Sequence, residues 1–465
     1  MSASPHSKNN SIPQAKPSAR AIAYSVLLAV ETRAAYASEL LHSRMSSDIA
    51  ARDAALATEL VMGTLRWQRA LDFFIARYTG RTISALDAEV LIALRMGIYQ
   101  LRHLTRIPAR AAVNESVELV RRARKKSAVP LANAALRRAA AEKSEPLTSF
   151  LPAGMDATEA LAIEHSHPTW MVERWLRKFG EPKTIELLEW NNHAPKQACA
   201  ILNPARREET IRSLEEAGLH VEAGRLLKDA IVVSRGNVAK TAALRNGWIA
   251  IQDEASQAIP LLLDAQGGES VLDLCAAPGG KTIALAQRAG ARGHVVACDI
   301  YEARLRVMRE RLHATGTNNV SLVILDGTSD LPFGRRFDRI LVDAPCSGTG
   351  TLARNPEIRW RLRAEDLAEL RVCQVKLLAS ALAHLAPNGK LLYSTCSMEA
   401  EENESVIQEA LAKSPDFRIE PVKVPQSILV EGVRAENLTD GEGAFRTFPP
   451  AQHSDGFFAA AIRRR

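Results

Sequence analysis

The sequence predicts a multidomain protein: an all-α N-terminal bundle, a small α+β middle domain and a C-terminal α/β domain built on a parallel sheet. Three observations carry that expectation. At 465 residues the chain exceeds the length at which one hydrophobic core stops growing. Its apolar spacing is helical through the first 143 residues. After residue 255, continuous apolar runs alternate with helical stretches, the pattern of strands buried on both faces.

Residues 1–18 are dominated by Ser, Pro, Asn and Lys with no apolar stretch, so they read as a disordered tail without a signal peptide. From 19 to 143, AIAYSVLLAVETR, DAALATELVMGTL and SALDAEVLIALRMGIYQL repeat apolar residues at i, i+3, i+4 and i+7. Ser84 followed by Asp87 fits a capping-box start for the third. With no strand signal in this stretch, a helix bundle is the natural assembly. Pro and Ser then break the pattern, and 144–166, including PLTSFLPAG, reads as a linker. Residues 167–254 mix helical TWMVERWLRKFG and REETIRSLEEAG with the β-branched runs DAIVVS and GWIAI, hence the α+β middle domain. Residues 255–465 form the α/β domain.

Charge is unevenly placed. Residues 1–150 hold 22 Lys and Arg against 12 Asp and Glu, while the remainder holds 38 against 41. A basic first third, with the run Arg121, Arg122, Arg124, Lys125 and Lys126, fits a polyanionic partner; a solvated basic face is the plain alternative. No apolar run approaches the roughly 18 residues of a membrane span. A cytoplasmic location follows by default. The six cysteines form no CxxC pair and have no His cluster beside them, which argues against a metal site.

Ligands of doubly wound sheets bind beyond the C-terminal strand ends, so the informative residues lie where each apolar run stops. The first run ends VLDLCAAPGGKT (271–282), a Gly-rich turn that allows close backbone approach and opens a helix. It misses the phosphate-binding P-loop, since Cys275 stands where that motif needs glycine. The second run ends at Asp299, 26 residues after Asp273, placed to accept hydrogen bonds from ribose hydroxyls. The third ends at Asp326, placed for an adenine edge. Helix capping is the plain reading of each Asp.

The fourth run ends DAPCSGTGT and a later one YSTCS, which puts Cys346 and Cys396 just past strands. Cys298 and Cys373 instead read as core residues. Loop thiols on the ligand side are candidate nucleophiles. Cytosine C5 becomes nucleophilic only once C6 carries an adduct, and a thiolate supplies that adduct.

CAAPGGKT, DAPCSGTG and YSTCS followed by EENE resemble the signature motifs of the RNA 5-methylcytosine methyltransferases, which include the nucleolar Nop proteins and bacterial ribosomal RNA enzymes. IQDEASQ, RNPEIRWR and DGFFAAAIRR extend the likeness over about 255–465, the last resembling the strand that closes the sheet. ARDAALATELVMGTLRWQRALD, LRMGIYQL and PARAAVNESVEL resemble a NusB-like RNA-binding domain. That pairing is the arrangement of the bacterial 16S ribosomal RNA cytosine-5 methyltransferases of the RsmB family. The segment ACAILNP departs from the P-x-T-x-R-x-N style of its middle domain.

The resemblance implies a Rossmann-like class I methyltransferase domain, S-adenosyl-L-methionine as cofactor and 16S ribosomal RNA, free or in an assembling small subunit, as partner. It implies that Cys396 attacks C6 and Cys346 helps resolve the adduct, with Asp343 and Lys281 against the target base. Cys275, Ala276, Ala277, Pro278, Gly279, Gly280 and Lys281 would hold the methionine part of the cofactor, Asp299 the ribose and Asp326 the adenine, with Asp343 nearby. The DNA cytosine-5 enzymes attack with a Pro-Cys cysteine, the counterpart of Cys346. Another RNA such as tRNA, DNA methylation, and a non-catalytic RNA-binding or antitermination-type role are the competing readings. One site from one chain predicts a monomer that binds neither DNA nor membrane.

Overall fold

A computed structural model describes residues 18–33, 35–45 and 49–465. The tail expected over 1–18 therefore lies, apart from Ser18, outside the described residues. The chain divides into two units between Val172 and Glu173.

In the first unit the helices before residue 144 are Ala19–Arg33, Ala37–Arg44, Ala51–Arg66, Gln68–Thr79, Ala88–His103, Ala109–Arg122 and Val129–Ala141, and no strand occurs among the unit's described residues. Ala88–His103 buries every residue from Val90 to Leu101, the mark of a helix surrounded by others. Its buried Arg95 would be costly alone. Asp72 receives its Nε and Nη2 at 2.7 and 2.8 Å, and Glu31 its Nη1 at 2.9 Å, tying three helices together.

Two local expectations differ from the structure. The third helical run starts at Ala88 with Asp87 at the N-cap, and Ser84 lies in a separate 3-10 turn, Ile83–Ala85. No capping box forms, because the Asp87 carboxylate turns instead to Lys125 at 3.0 Å. The segment 144–166 is also more ordered than a linker: it holds a 3-10 turn, Leu147–Phe150, and a helix, Ala157–Glu164. Phe150 packs edge-on against Phe74 at 5.6 Å, and Glu159 accepts Arg69 Nη2 at 2.5 Å, anchoring the segment to the bundle. In the basic run, Arg121 and Arg122 pair with Glu118, and Lys125 also reaches Glu89.

The second unit contains two sheets. The first orders β1 (Gln197–Ile201), β2 (His220–Ala223), β3 (Ala230–Arg235) and β4 (Ile249–Ile251) as β2-β3-β1-β4, all antiparallel. The divergent ACAILNP segment supplies the central strand β1. Helix Arg207–Glu216 packs on this sheet, whereas Arg174, Trp175 and Lys178, on the helix that ends at Phe179, bond to Glu399, Glu401 and Met398 beside the second sheet.

The second sheet contains β5 (Ser270–Asp273), β6 (His294–Asp299), β7 (Val320–Ile324), β8 (Phe337–Asp343), β9 (Leu385–Thr395), β10 (Phe417–Glu420), β11 (Phe445–Arg446) and β12 (Phe458–Arg464). Its order is β10-β12-β9-β8-β5-β6-β7, with β11 on β12. β5 to β9 are parallel; β12 runs antiparallel to β9, and β10, antiparallel to β12, points the same way as β5 to β9. DGFFAAAIRR thus forms β12, but the sheet does not close there: β10, with its alternating and half-exposed FRIE, forms the edge. The chain runs outward from β5 to β7 and returns to place β8 on the other flank of β5. That reversal is a topological switch point, where such sheets open a crevice. Helices Gly280–Ala289 and Asp366–Ala383 cover the sheet with wholly buried contacts such as Leu285, Leu378 and Leu382.

Candidate active site

At the switch point a cavity of about 260 Å³ opens beyond the C-terminal ends of β5 and β8. It is lined by the turn from Cys275 to Lys281, by Asp273 and Asp343, and by Cys396. Gly279 adopts φ +101°, a left-handed conformation that glycine tolerates, and a Cβ there would meet Met308 at 2.8 Å. Gly280–Ala289 follows, so the helix N-terminus faces the cavity edge. Arg304 Nη2 donates to Ala277 O at 2.7 Å and Arg311 Nη1 to Pro278 O at 3.1 Å, fastening the turn to the helix Glu302–Ala314. Neither arginine stood out in the sequence, because a helix-face cation at ordinary spacing reads as solvated.

Asp273 is buried, and burial raises its carboxyl pKa to about 7, against the hydrogen bond that Thr282 Oγ1 donates at 2.7 Å. Its other oxygen, Oδ1, has no hydrogen-bond partner among the described residues. Buried carboxylate oxygens without partners are costly, so this atom is a ready acceptor for a ligand N–H. Burial also pushes the Cys275 thiol well above its usual pKa.

Asp299 ends β6 and Asp326 sits two residues past the adjacent β7, both outside the lining of this cavity. Asp299 accepts from the N–H of Ala277 at 3.2 Å and of Tyr301 at 3.0 Å, and Arg304 Nη1 reaches it at 3.3 Å. Asp326 is exposed two residues beyond β7, where the Thr328 N–H and hydroxyl hold its carboxyl below the usual range. The structure therefore gathers 275–281, Asp343 and Cys396 in one wall and leaves these two carboxylates at its flank.

The two loop cysteines meet through strand register. β8 and β9 are parallel neighbours with Asp343 opposite Ser394. Cys346 lies three residues past the first and Cys396 two past the second, and their Sγ atoms are 3.3 Å apart. Gly350 N donates to Cys396 O at 2.9 Å, and a Cβ on Gly350 would meet Gly456 O at 2.1 Å, so only glycine lets this loop close. The hydrogen bond to Cys396, together with burial, drives the Cys346 thiol well above its usual pKa. Cys298 is buried in β6, and Cys373 packs against the sheet core from its helix.

Lys281 Nζ donates to Asp343 Oδ2 at 2.6 Å, and Ser394 Oγ donates to Asp343 Oδ1 at 2.7 Å. Burial opposes the Lys281 charge. The attraction and hydrogen bond of Asp343 outweigh it, with smaller contributions from Cys396 and Asp273, and leave the ammonium pKa above its usual value. A firmly charged lysine therefore stands within electrostatic reach of the Cys396 sulfur.

Glu402, fully buried, joins the two cysteine loops. It accepts from Ser347 N at 2.8 Å, from the Ser347 hydroxyl, from Ser397 Oγ at 2.5 Å and from Gln374 Nε2 at 3.0 Å. The EENE motif contains this clamp, yet nothing in its spacing reveals which carboxylate turns inward. Arg354, from RNPEIRWR, binds Asp455 through Nε at 2.9 Å and Asp253 through Nη2 at 2.7 Å. Both carboxylates are nearly buried and line the cavity. Arg354→Met strands them without a cation, so unfolding in urea is expected to lose about 3–5 kcal/mol of stability. An unchanged midpoint and slope would contradict that role.

A parallel sheet with antiparallel β12 inserted at one side, carrying a nucleoside-sized crevice at its switch point, defines a Rossmann-like methyltransferase. Residues 260–463 match the family described as 16S rRNA methyltransferase RsmB/F, 17–141 the NusB family, and 167–239 an RsmF/B-like ferredoxin-like domain. The probable ribosomal RNA small subunit methyltransferase B of Bacillus subtilis strain 168 is 32% identical over 454 residues, covering 97% of this chain and 99% of that protein. The ribosomal RNA small subunit methyltransferase B of Pseudomonas putida is 36% identical over 79% of this chain and 83% of its own. A solved methyltransferase homologue from Pyrococcus horikoshii superposes with a TM-score of 0.56 at 29% identity, over 68% of this chain and all of its own. The chain belongs to the ribosomal RNA small subunit methyltransferase B family. It is an S-adenosyl-L-methionine-dependent ribosomal RNA methyltransferase. No helix among the described residues is long and apolar enough to cross a membrane, and no His, Cys, Asp and Glu group among them could hold a metal.

Proposed function

We propose that the chain methylates C5 of a cytosine in 16S ribosomal RNA through a covalent bond between Cys396 and C6. The observation that carries this reading is the pair of thiols 3.3 Å apart beside the Lys281–Asp343 ion pair. S-adenosyl-L-methionine, when bound, supplies an electrophilic methyl group on a positively charged sulfur.

The residues present fit that cofactor. The unpartnered Oδ1 of Asp273 faces a need for an N–H donor, which the cofactor's ammonium meets, and the turn from Cys275 through Ala276, Ala277, Pro278, Gly279 and Gly280 would carry its methionine part. Asp299, at the end of β6, and Asp326, past β7, would take the ribose and the adenine. Asp273→Asn is expected to weaken cofactor binding by about 10–100-fold, the worth of one charge-assisted hydrogen bond. Ionised Asp273 attracts an ammonium and the neutral acid does not. Affinity should therefore hold above pH 7 and fall as pH drops through about 7. Asp343, Lys281 and Asp299 also face this group, and Asp455, raised to about 7 mainly by burial, lines the same cavity. Only the difference between wild-type and Asp273→Asn binding curves reports Asp273. Coincident curves would remove it from the site.

Cys396 opens onto the cavity beside the Lys281 ammonium, whereas Cys346 is held as a thiol. That division supports Cys396 as the nucleophile. Its thiolate adds to C6 and pushes the electron pair of the C5=C6 bond onto C5. Once C5 carries the methyl group, the Asp343 carboxylate takes the C5 proton, the pair re-forms C5=C6, and the Cys396–C6 bond breaks. The Cys346 S–H donates to the departing sulfur, while Asp343 and Lys281 serve the base's proton movements. A target base must leave its stack to reach this pocket, so a loop in the RNA is the expected target. Acting as a cytoplasmic monomer on RNA and not DNA completes the reading. The test is incubation with a 16S fragment, its DNA counterpart and methyl-labelled cofactor; RNA without label at cytosine C5 rejects it.

A further inference from the structure

A second cavity, of about 400 Å³, adjoins the first. Phe457 lines both, and the chain passes from one to the other between Cys396 and Ser397. Phe179 and Phe448, whose ring centroids lie 5.6 Å apart, form aromatic walls with Met398. The cations here are already engaged. Arg446 binds Asp440 Oδ2 at 2.6 Å and Glu404 Oε1, and its guanidinium covers the Phe458 ring at 4.6 Å. Lys178 Nζ donates to Met398 O at 2.6 Å, and burial holds its pKa below the usual lysine value. Of the buried side-chain polar atoms in this lining one is left over: Glu404 Oε2 has no hydrogen-bond partner among the described residues.

A pocket with apolar aromatic walls, two engaged cations against the three carboxylates Glu404, Asp440 and Glu442, and one buried carboxylate oxygen without a partner disfavours phosphate and suits a flat ring carrying an N–H donor. We propose that this cavity receives the RNA base adjacent to the target cytosine and selects an amino-bearing base through Glu404. Stacking on Phe448 or Phe179 supplies affinity and Glu404 supplies choice. This inference rests on the proposed function and names a further part of its substrate.

The test uses the full-length protein and short 16S fragments bearing each of the four bases, or an abasic site, on either side of the methylated cytosine. An abasic neighbour on one side should cost at least about fivefold in kcat/KM, the low end of a stacked base's contribution. An amino-bearing base there should exceed uracil by about tenfold. In Glu404→Gln the amide oxygen stays with Arg446 and turns its NH₂ into the cavity, so the preference should vanish or reverse with cofactor affinity retained. Phe448→Leu, a milder change than Ala, should lessen the abasic penalty. Full C5 labelling whatever the neighbour, or an unaltered preference in Glu404→Gln, overturns this inference alone. Absence of C5 label from every RNA overturns the proposed function and this inference with it.

Discussion

Cys396→Ala is expected to reduce methyl transfer by about 10⁴-fold or more while leaving cofactor affinity unchanged. Losing the nucleophile of a covalent catalyst removes the reaction path itself, not a fraction of its rate. Cytosine C5 has no comparable route to an electrophilic methyl group, since only the C6 adduct places electron density on it. Cys396 is a small, half-buried side chain at the mouth of a preformed crevice, so alanine leaves no large cavity and the fold should tolerate it. Cys396→Ser, which keeps the shape and offers a far poorer nucleophile, should be equally inactive. Cofactor titration alongside labelled methyl transfer separates chemistry from folding. Substantial activity in both variants would exclude Cys396 as the attacking group.

Cys346→Ala is expected to do something different: form the bond to RNA and fail to release it. In the wild type the Cys346 sulfur lies 3.3 Å from the Cys396 sulfur, and burial together with that contact keeps its proton in place. As the Cys396–C6 bond breaks, the departing sulfur gathers negative charge in a site with little water, and a donor at this distance stabilises it. Without that donor the methylated adduct should accumulate as a protein–RNA species stable to denaturant and to reductant, because the link is a thioether and not a disulfide. A denaturing gel with labelled RNA reads this directly. If Cys346→Ala is merely inactive and Cys396→Ala accumulates the adduct, the two roles are exchanged.

The sequence disclosed the sheet better than its margins. Strands β5, β6, β8 and β9 carry largely apolar runs buried on both faces, at 271–273, 295–299, 340–342 and 391–395, a pattern that survives without context, while β7 at the far edge is apolar but only half-buried. β2 and β10 are short and half-exposed and β11 is only two residues long, and all three owe their form to the neighbours they pair with. The site divides along the same line. The Gly-rich turn and the two cysteines announce themselves because their chemistry is local: loop residues placed just past strands. Arg354, Asp253, Asp455 and Glu402 act through contacts far apart in the chain, such as the 202 residues between Asp253 and Asp455, which no spacing encodes. Ser84 and Asp87 failed for a related reason, since Lys125 claimed the carboxylate that a local rule assigned to the helix end.

The most direct test of the central claim is to identify the residue bonded to RNA when the target cytosine carries fluorine at C5. Fluorine cannot leave as the C5 proton does, so with S-adenosyl-L-methionine present the adduct is trapped after methyl transfer. Proteolysis and mass spectrometry of the trapped species should place the nucleotide on the peptide containing Cys396, with a methyl group on the same base. A nucleotide on Cys346, or no trapped species while ordinary RNA is methylated, would contradict the account.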